Sequence, residues 1–252
     1  MLFFNIFYIF RKSTFRNTIN ILQFINLYKK KKYFSFFFKI LYGQVLLKKY
    51  FKYIYKYKTI LNNKYFFQDE DWFSHNIPIW FWVLNNFKNK INYLEIGCYE
   101  GRSLCFINEI NKKIKITAVD PFVQYPDNQR TLNSLKFSMK TIYLNFFKNL
   151  KIINKKINFY KKSSKNFFLI NKKKFDLIYI DGSHYYLDVL NDLLQSSKIV
   201  KLNGVIVLDD FIWRGYKKIE HNPIGGILPF LNKNPNFKVL CITNQIVIKK
   251  IF

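Results

Sequence analysis

Acidic residues are scarce in this sequence. Its 252 residues include 15 Asp and Glu against 42 Lys and Arg, a formal net charge of +27. So positive a chain suggests nucleic acid or an anionic membrane as partner, yet only five of the 42 basic residues are Arg. Lys, Asn, Ile, Phe and Tyr are abundant together and have codons made largely of A and T, so a base-composition bias accounts for much of the charge. Cysteine is nearly absent. Cys98, Cys105 and Cys241 are odd in number and lack CxxC spacing, which argues for a reducing, cytoplasmic compartment and against structural zinc. No apolar run approaches the ~18 residues that a spanning helix needs. The opening MLFFNIFYIF is apolar, but Arg11 and Lys12 follow it and no small-residue cleavage site is evident, the wrong order for a secretory signal.

What is present suffices for a core: 50% of the residues are hydrophobic and 20% aromatic. The length fits one α/β domain plus an extension. Residues 1–68 hold 14 Lys or Arg and no acid, with aromatic clusters at 33–38 and 50–57 and a basic one at 29–32. One reading is a peripheral membrane anchor, with rings in the interface and lysines on anionic lipid. The other, which the composition favours, is a biased helical or partly disordered extension. The composition changes at Asp69, so 69–252 is taken as the domain.

Within it, residues 175–211 read as strand, helix, strand: an apolar run at 177–180 ending in Asp181, a helical pattern through Leu187, Leu190, Leu193 and Leu194, and a second run at 205–208 ending in Asp209 and Asp210. Such a unit makes a right-handed βαβ crossover and brings the acids to the carboxyl edge of neighbouring parallel strands. Further strands are expected at 93–96, 115–120 and 157–160, with helices at 77–84, 102–110, 137–150, 165–170 and 225–231. Residues 239–243 and 246–250 read as a closing hairpin. Six of the 15 acids (Glu95, Glu100, Asp120, Asp181, Asp209, Asp210) fall at expected strand ends. A drift toward Lys gives no reason for that clustering.

Glu95-x-Gly97-x-x-x-Gly101 occupies a strand-to-helix turn, where glycine lets backbone approach a ligand. It is not the G-x-G-x-x-G fingerprint, and Glu95 and Glu100 disfavour a pyrophosphate. A cationic, phosphate-free cofactor fits better. Asp120 ends the next strand, where a carboxylate can hold both hydroxyls of a ribose, or cap a helix. Asp181, Asp209 and Asp210 invite a cation, Mg²⁺ or another hard divalent ion, unless a lysine supplies the countercharge. His184 follows in a Gly-Ser-His turn, as a general base or a solvated loop histidine. His75 reads as a local hydrogen-bonding residue.

The segments LEIGCYEGRS, AVDPF, FDLIYIDGSHYYLDVLNDL and GVIVLDDFIW together resemble class I S-adenosylmethionine-dependent methyltransferases, most nearly the branch with metal-dependent sugar O-methyltransferases. The resemblance implies a Rossmann-like, seven-stranded, mostly parallel sheet with a C-terminal antiparallel hairpin and helices on both faces. It implies cofactor contacts at Glu95, Gly97, Cys98, Tyr99, Glu100, Gly101, Ser103, Asp120, Ser163 and Asp181, divalent metal at Asp181, Asp209 and Asp210, and catalysis by His184 with Asp181. Members often carry an acid near the adenine after the third strand; this chain has Ser163 and Ser164 there. The expected acceptor is a hydroxylated small molecule such as a sugar, walled by residues 121–133 and 211–224. A basic nucleic-acid-binding protein or nucleic-acid methyltransferase is the second reading, against which few Arg and no recognised module argue. A membrane-surface protein with an inactive methyltransferase fold is the third.

Overall fold

The computed structural model describes residues 33–87, 90–123 and 137–252. The basic cluster at 29–32 and most of the expected 121–133 wall lie outside them. In chain order the elements are α1 (Tyr33–Tyr50), α2 (Lys52–Lys64), α3 (Ile77–Asn85), β1 (Asn92–Ile96), α4 (Arg102–Ile110), β2 (Lys115–Val119), α5 (Met139–Ile153), β3 (Asn158–Tyr160), α6 (Ser164–Ile170), β4 (Phe175–Ile180), α7 (Tyr186–Ile199), β5 (Val200–Leu208), α8 (Pro223–Lys233), β6 (Phe237–Ile242) and β7 (Ile246–Lys250).

The seven strands form one sheet in the order β3-β2-β1-β4-β5-β7-β6. β7 pairs antiparallel with both β5 and β6, so it alone runs against the rest. This is the Rossmann-like, mostly parallel sheet with a C-terminal hairpin that the sequence led us to expect. Strand order reverses between β1 and β4, and open α/β sheets bind ligands in the crevice at that switch.

Side-chain alternation divides the strands between two cores. Tyr93, Ala118, Leu177, Tyr179, Val207 and Val247 face Trp80, Phe106 and Phe146 of α3, α4 and α5. Leu94, Val119, Ile178, Ile180, Ile206 and Ile248 face Phe167, Leu193 and Ile227 of α6, α7 and α8. Burying each large side chain contributes about 1.5–3 kcal/mol.

The 1–68 extension contributes to these cores. Phe36 and Ile40 of α1 are buried in one, and Leu46 and Leu61 in the other. A Cβ on Gly43 would lie 2.1 Å from the Ile242 carbonyl oxygen, so only glycine lets α1 lie this close to β6. Among the described residues no helix is long and apolar enough to cross a membrane.

Candidate active site

β1 ends at Ile96, and the chain turns through Gly97 (φ +84°), Tyr99 (φ +48°) and Gly101 (φ +80°) into α4. A Cβ on Gly97 would meet the Asp181 carbonyl oxygen at 2.0 Å, because the ends of β1 and β4 converge there. Asp120 fastens the turn from the end of β2. Its Oδ2 accepts from the amides of Cys98 (2.7 Å) and Tyr99 (3.0 Å), and its Oδ1 from Phe122 (2.7 Å). Burial raises its carboxyl pKa, and the three amides act in the opposite direction.

Glu95 lies beneath the turn. It is fully buried and accepts from the hydroxyls of Tyr93 (2.5 Å) and Ser103 (2.5 Å). Burial pushes its carboxyl up to about 8, although both hydroxyls favour the charged form. Glu100 lines the cavity, but its oxygens accept from the Gln68 amide at 3.0 and 3.2 Å and from Asn145 Nδ2 at 2.7 Å. Tyr99 Oη donates to Asp69, and Asn149 Nδ2 bridges the carbonyls of Phe66 and Glu100, both at 2.8 Å. The segment after α2 is thereby stitched to the glycine turn.

An open cavity of about 1610 Å³ lies over the carboxyl edge. Gly97, Cys98, Tyr99, Glu100, Ser103, Asp120, Ser163, Asp181, His184, Asp209 and Asp210 all line it. Of the expected site residues, Glu95 sits under the wall, and Gly101, whose φ lets the turn enter α4, supports it.

At the far end of β4, Tyr179 Oη lies 3.0 Å from Asp181 Oδ2 and also donates to Asp209. One phenol hydrogen can serve only one of the two carboxylates at a time. Burial, reinforced by the neighbouring carboxylates, raises the Asp181 pKa well above the ordinary range and pushes Asp209 up to about 6. Asp209 also accepts from Asn76 Nδ2 at 3.1 Å, Asn244 Nδ2 at 3.4 Å and the Asp210 amide at 2.8 Å. Asp210, at φ +52°, turns the other way, to His184 Nε2 at 2.8 Å. The His184 ring packs on Trp213 at 4.7 Å.

The three carboxylates expected to hold a divalent ion, Asp181, Asp209 and Asp210, are engaged with protein donors instead. Asp209 is occupied by N–H and O–H donors and Asp210 by His184. Among the described residues no group of three or more His, Cys, Asp or Glu side chains is placed to hold a metal ion. Paired in this way, the three carboxylates do not converge on an ion.

S-Adenosylmethionine fits better. The glycine turn offers a close backbone approach, and Asp120 Oδ1 keeps a lone pair after Phe122. Three participants escaped the sequence reading. His75 sits 3.4 Å from Asn244 on the cavity wall, near Asp209. Asn244 belongs to what reads as a plain hairpin turn. Asp192 of α7 is buried on the wall and accepts from Ser164, and burial pushes its carboxyl up to about 7. It places an acid where the third-strand loop has only serines. Its signal was its helical position one turn beyond Asp188, which periodicity alone assigns to solvent.

Residues 94–211 match the family model described as a methyltransferase domain. An uncharacterized protein of Acanthamoeba polyphaga mimivirus is 28% identical over 173 residues, 65% of this chain and 70% of that protein. A structure from Clostridium thermocellum described as an rRNA methylase has a TM-score of 0.51 at 13% identity, covering 74% of this chain and 100% of its own. MycE, a methyltransferase of mycinamycin biosynthesis solved with Mg and SAH, has a TM-score of 0.51 at 15% identity, covering 72% of this chain and 51% of its own. The matched segment and the order and direction of the seven strands give this chain the Rossmann-like fold of class I methyltransferases.

Proposed function

We propose that this protein transfers a methyl group from S-adenosylmethionine to a hydroxyl of a small molecule, a sugar being the favoured class. The observation that carries this reading is the His184–Asp210 pair at 2.8 Å, set on the same cavity as the glycine turn and Asp120. When bound, S-adenosylmethionine supplies a sulfonium methyl group. The backbone of residues 97–101 and Asp120 hold it, with no phosphate to neutralise. An ionised Asp210 accepts only, so His184 carries its hydrogen on Nε2 and its basic lone pair on Nδ1. That nitrogen takes the proton from the acceptor hydroxyl, and the resulting imidazolium is stabilised by Asp210. Trp213 fixes the ring plane and offers an aromatic face to a sugar.

Support for a small acceptor over a nucleic acid comes from the polar floor. The carboxylates of Asp181, Asp209 and Asp210 disfavour a phosphate backbone. The metal assistance expected from the resemblance is not part of this mechanism, because the Asn76 and Asn244 amides and the Tyr179 hydroxyl already donate to Asp209.

The test is calorimetric titration of the protein with S-adenosylhomocysteine, followed by transfer of labelled methyl to a panel of sugars, phenols and transfer RNA. One-site binding that Asp120→Ala weakens, with label on a hydroxylated small molecule, is the expected result. Label on RNA alone would establish the nucleic-acid reading instead.

A further inference from the structure

The outer face of α1 and α2 lies outside the site. Phe38, Tyr42, Val45 and Lys49 recur at spacings of four, three and four residues, which places them along one side of α1. Phe38 is 62% exposed, Val45 60%, Phe51 at the helix junction 67% and Tyr55 of α2 81%. Lys48, Lys52 and Lys56 are exposed beside them. The opposite side of the same helices is already committed to the core through Phe36, Ile40, Leu46 and Leu61. These aromatic residues are therefore not core residues displaced by composition; the fold has sorted them outward.

Charge decides what could cover such a face. Among the described residues, the ion pairs of α2 are at Lys58 with Asp71 and Lys64 with Glu109; none involves Lys48, Lys49, Lys52 or Lys56. Several of these ammonium groups lie over tyrosine rings instead, Lys49 at 5.3 Å from the Tyr50 centroid and Lys56 at 5.6 Å from Tyr57. A second copy would set lysines against lysines. Residues 1–32 carry seven more basic residues and no acid, so they repel the face as well. A nucleic acid would satisfy the charge, but not the exposed Val45 and Phe38, and α1 and α2 contain no Arg for phosphate. An anionic bilayer satisfies both, with rings at headgroup depth and lysines on lipid phosphate and carboxylate.

We propose that the outward face of α1 and α2 docks this protein on an anionic lipid surface. The affinity is the sum of modest parts: near a charged leaflet each lysine contributes about fivefold in partition, and apolar rings add to it. This inference is independent of the methyl-transfer chemistry.

Flotation of the full chain with vesicles tests it. The protein should float with phosphatidylcholine vesicles containing phosphatidylserine, stay behind with phosphatidylcholine alone, and be released by high salt. Phe38→Ser combined with Phe51→Ser and Tyr55→Ser should lower partition more than tenfold, and so should Gln at Lys48, Lys49, Lys52 and Lys56 together. Thermal melting confirms that these exposed substitutions leave the domain folded. Failure to float with phosphatidylserine, or flotation that neither variant set lowers, overturns the proposal. So does sedimentation as a dimer that Phe38→Ser dissociates, or RNA binding that the ring variant abolishes while flotation persists.

Discussion

His184 and Asp210 meet at 2.8 Å although they lie on different loops, one after β4 and the other after β5. Pairing of the two strands in parallel register, Ile180 opposite Leu208, sets that distance. If the pair is the general base, Asp210→Asn should lower kcat by about 10²–10⁴-fold, the usual contribution of a positioned base. His184→Ala should lower it similarly. Neither should change affinity for S-adenosylhomocysteine, measured by calorimetry. A parallel loss of cofactor binding would show that the pair builds the pocket instead.

Asp192 provides a second check. If it accepts the adenine amino group, Asp192→Ala should weaken S-adenosylhomocysteine binding about tenfold, the worth of one buried hydrogen bond to a charged group. S-Inosylhomocysteine, which lacks that amino group, should bind wild type and variant alike. Equal loss for both ligands would reduce Asp192 to a partner of Ser164.

Glu95 links stability to pH. Its folded carboxyl is raised to about 8 by burial, so between its unfolded value near 4.5 and about pH 8 the native state holds the extra proton. Stability is then greatest at the acid end of that window and falls as pH rises through it. Glu95→Gln should flatten the decline and raise Tm at pH 8, by an energy on the order of several kcal/mol. A melting temperature insensitive to pH from 5 to 8 in the wild type would refute this.

Burial raises the carboxyl pKa of Asp181 and of Asp209, which predicts how metal removal behaves. Chelator-treated protein should retain its turnover near neutral pH. An absolute need for Mg²⁺ that strengthens with rising pH would instead mean that an ion displaces a proton from these carboxyls, and Asp181→Asn would then abolish the metal effect.

Much of this was legible because strands buried on both faces write themselves as apolar runs with an acid at the end. β7 and α4 have the bounds that the pattern predicts, 246–250 and 102–110. β5 starts at Val200, five residues before the apolar run predicts, because Lys201, Leu202 and Asn203 interrupt that run. The site was legible where one residue type marks one job, as with Gly97, Asp120 and His184. It was not where the job depends on what folds against it. The partners of Asp209 are not legible, because Asn76 and Asn244, 133 and 35 residues away, leave no local mark on the sequence. Likewise the composition of residues 1–68 allows a helical extension but does not say which of its aromatic residues β6 will cover.

The reversed direction of β7 has an effect beyond closing the sheet. Since β6 points the same way as β5, the short connection through residues 243–245 emerges on the working rim and not on the blind underside. The final hairpin thus lends an amide to the acid cluster, and shortening that bend would cost chemistry even if every strand still paired.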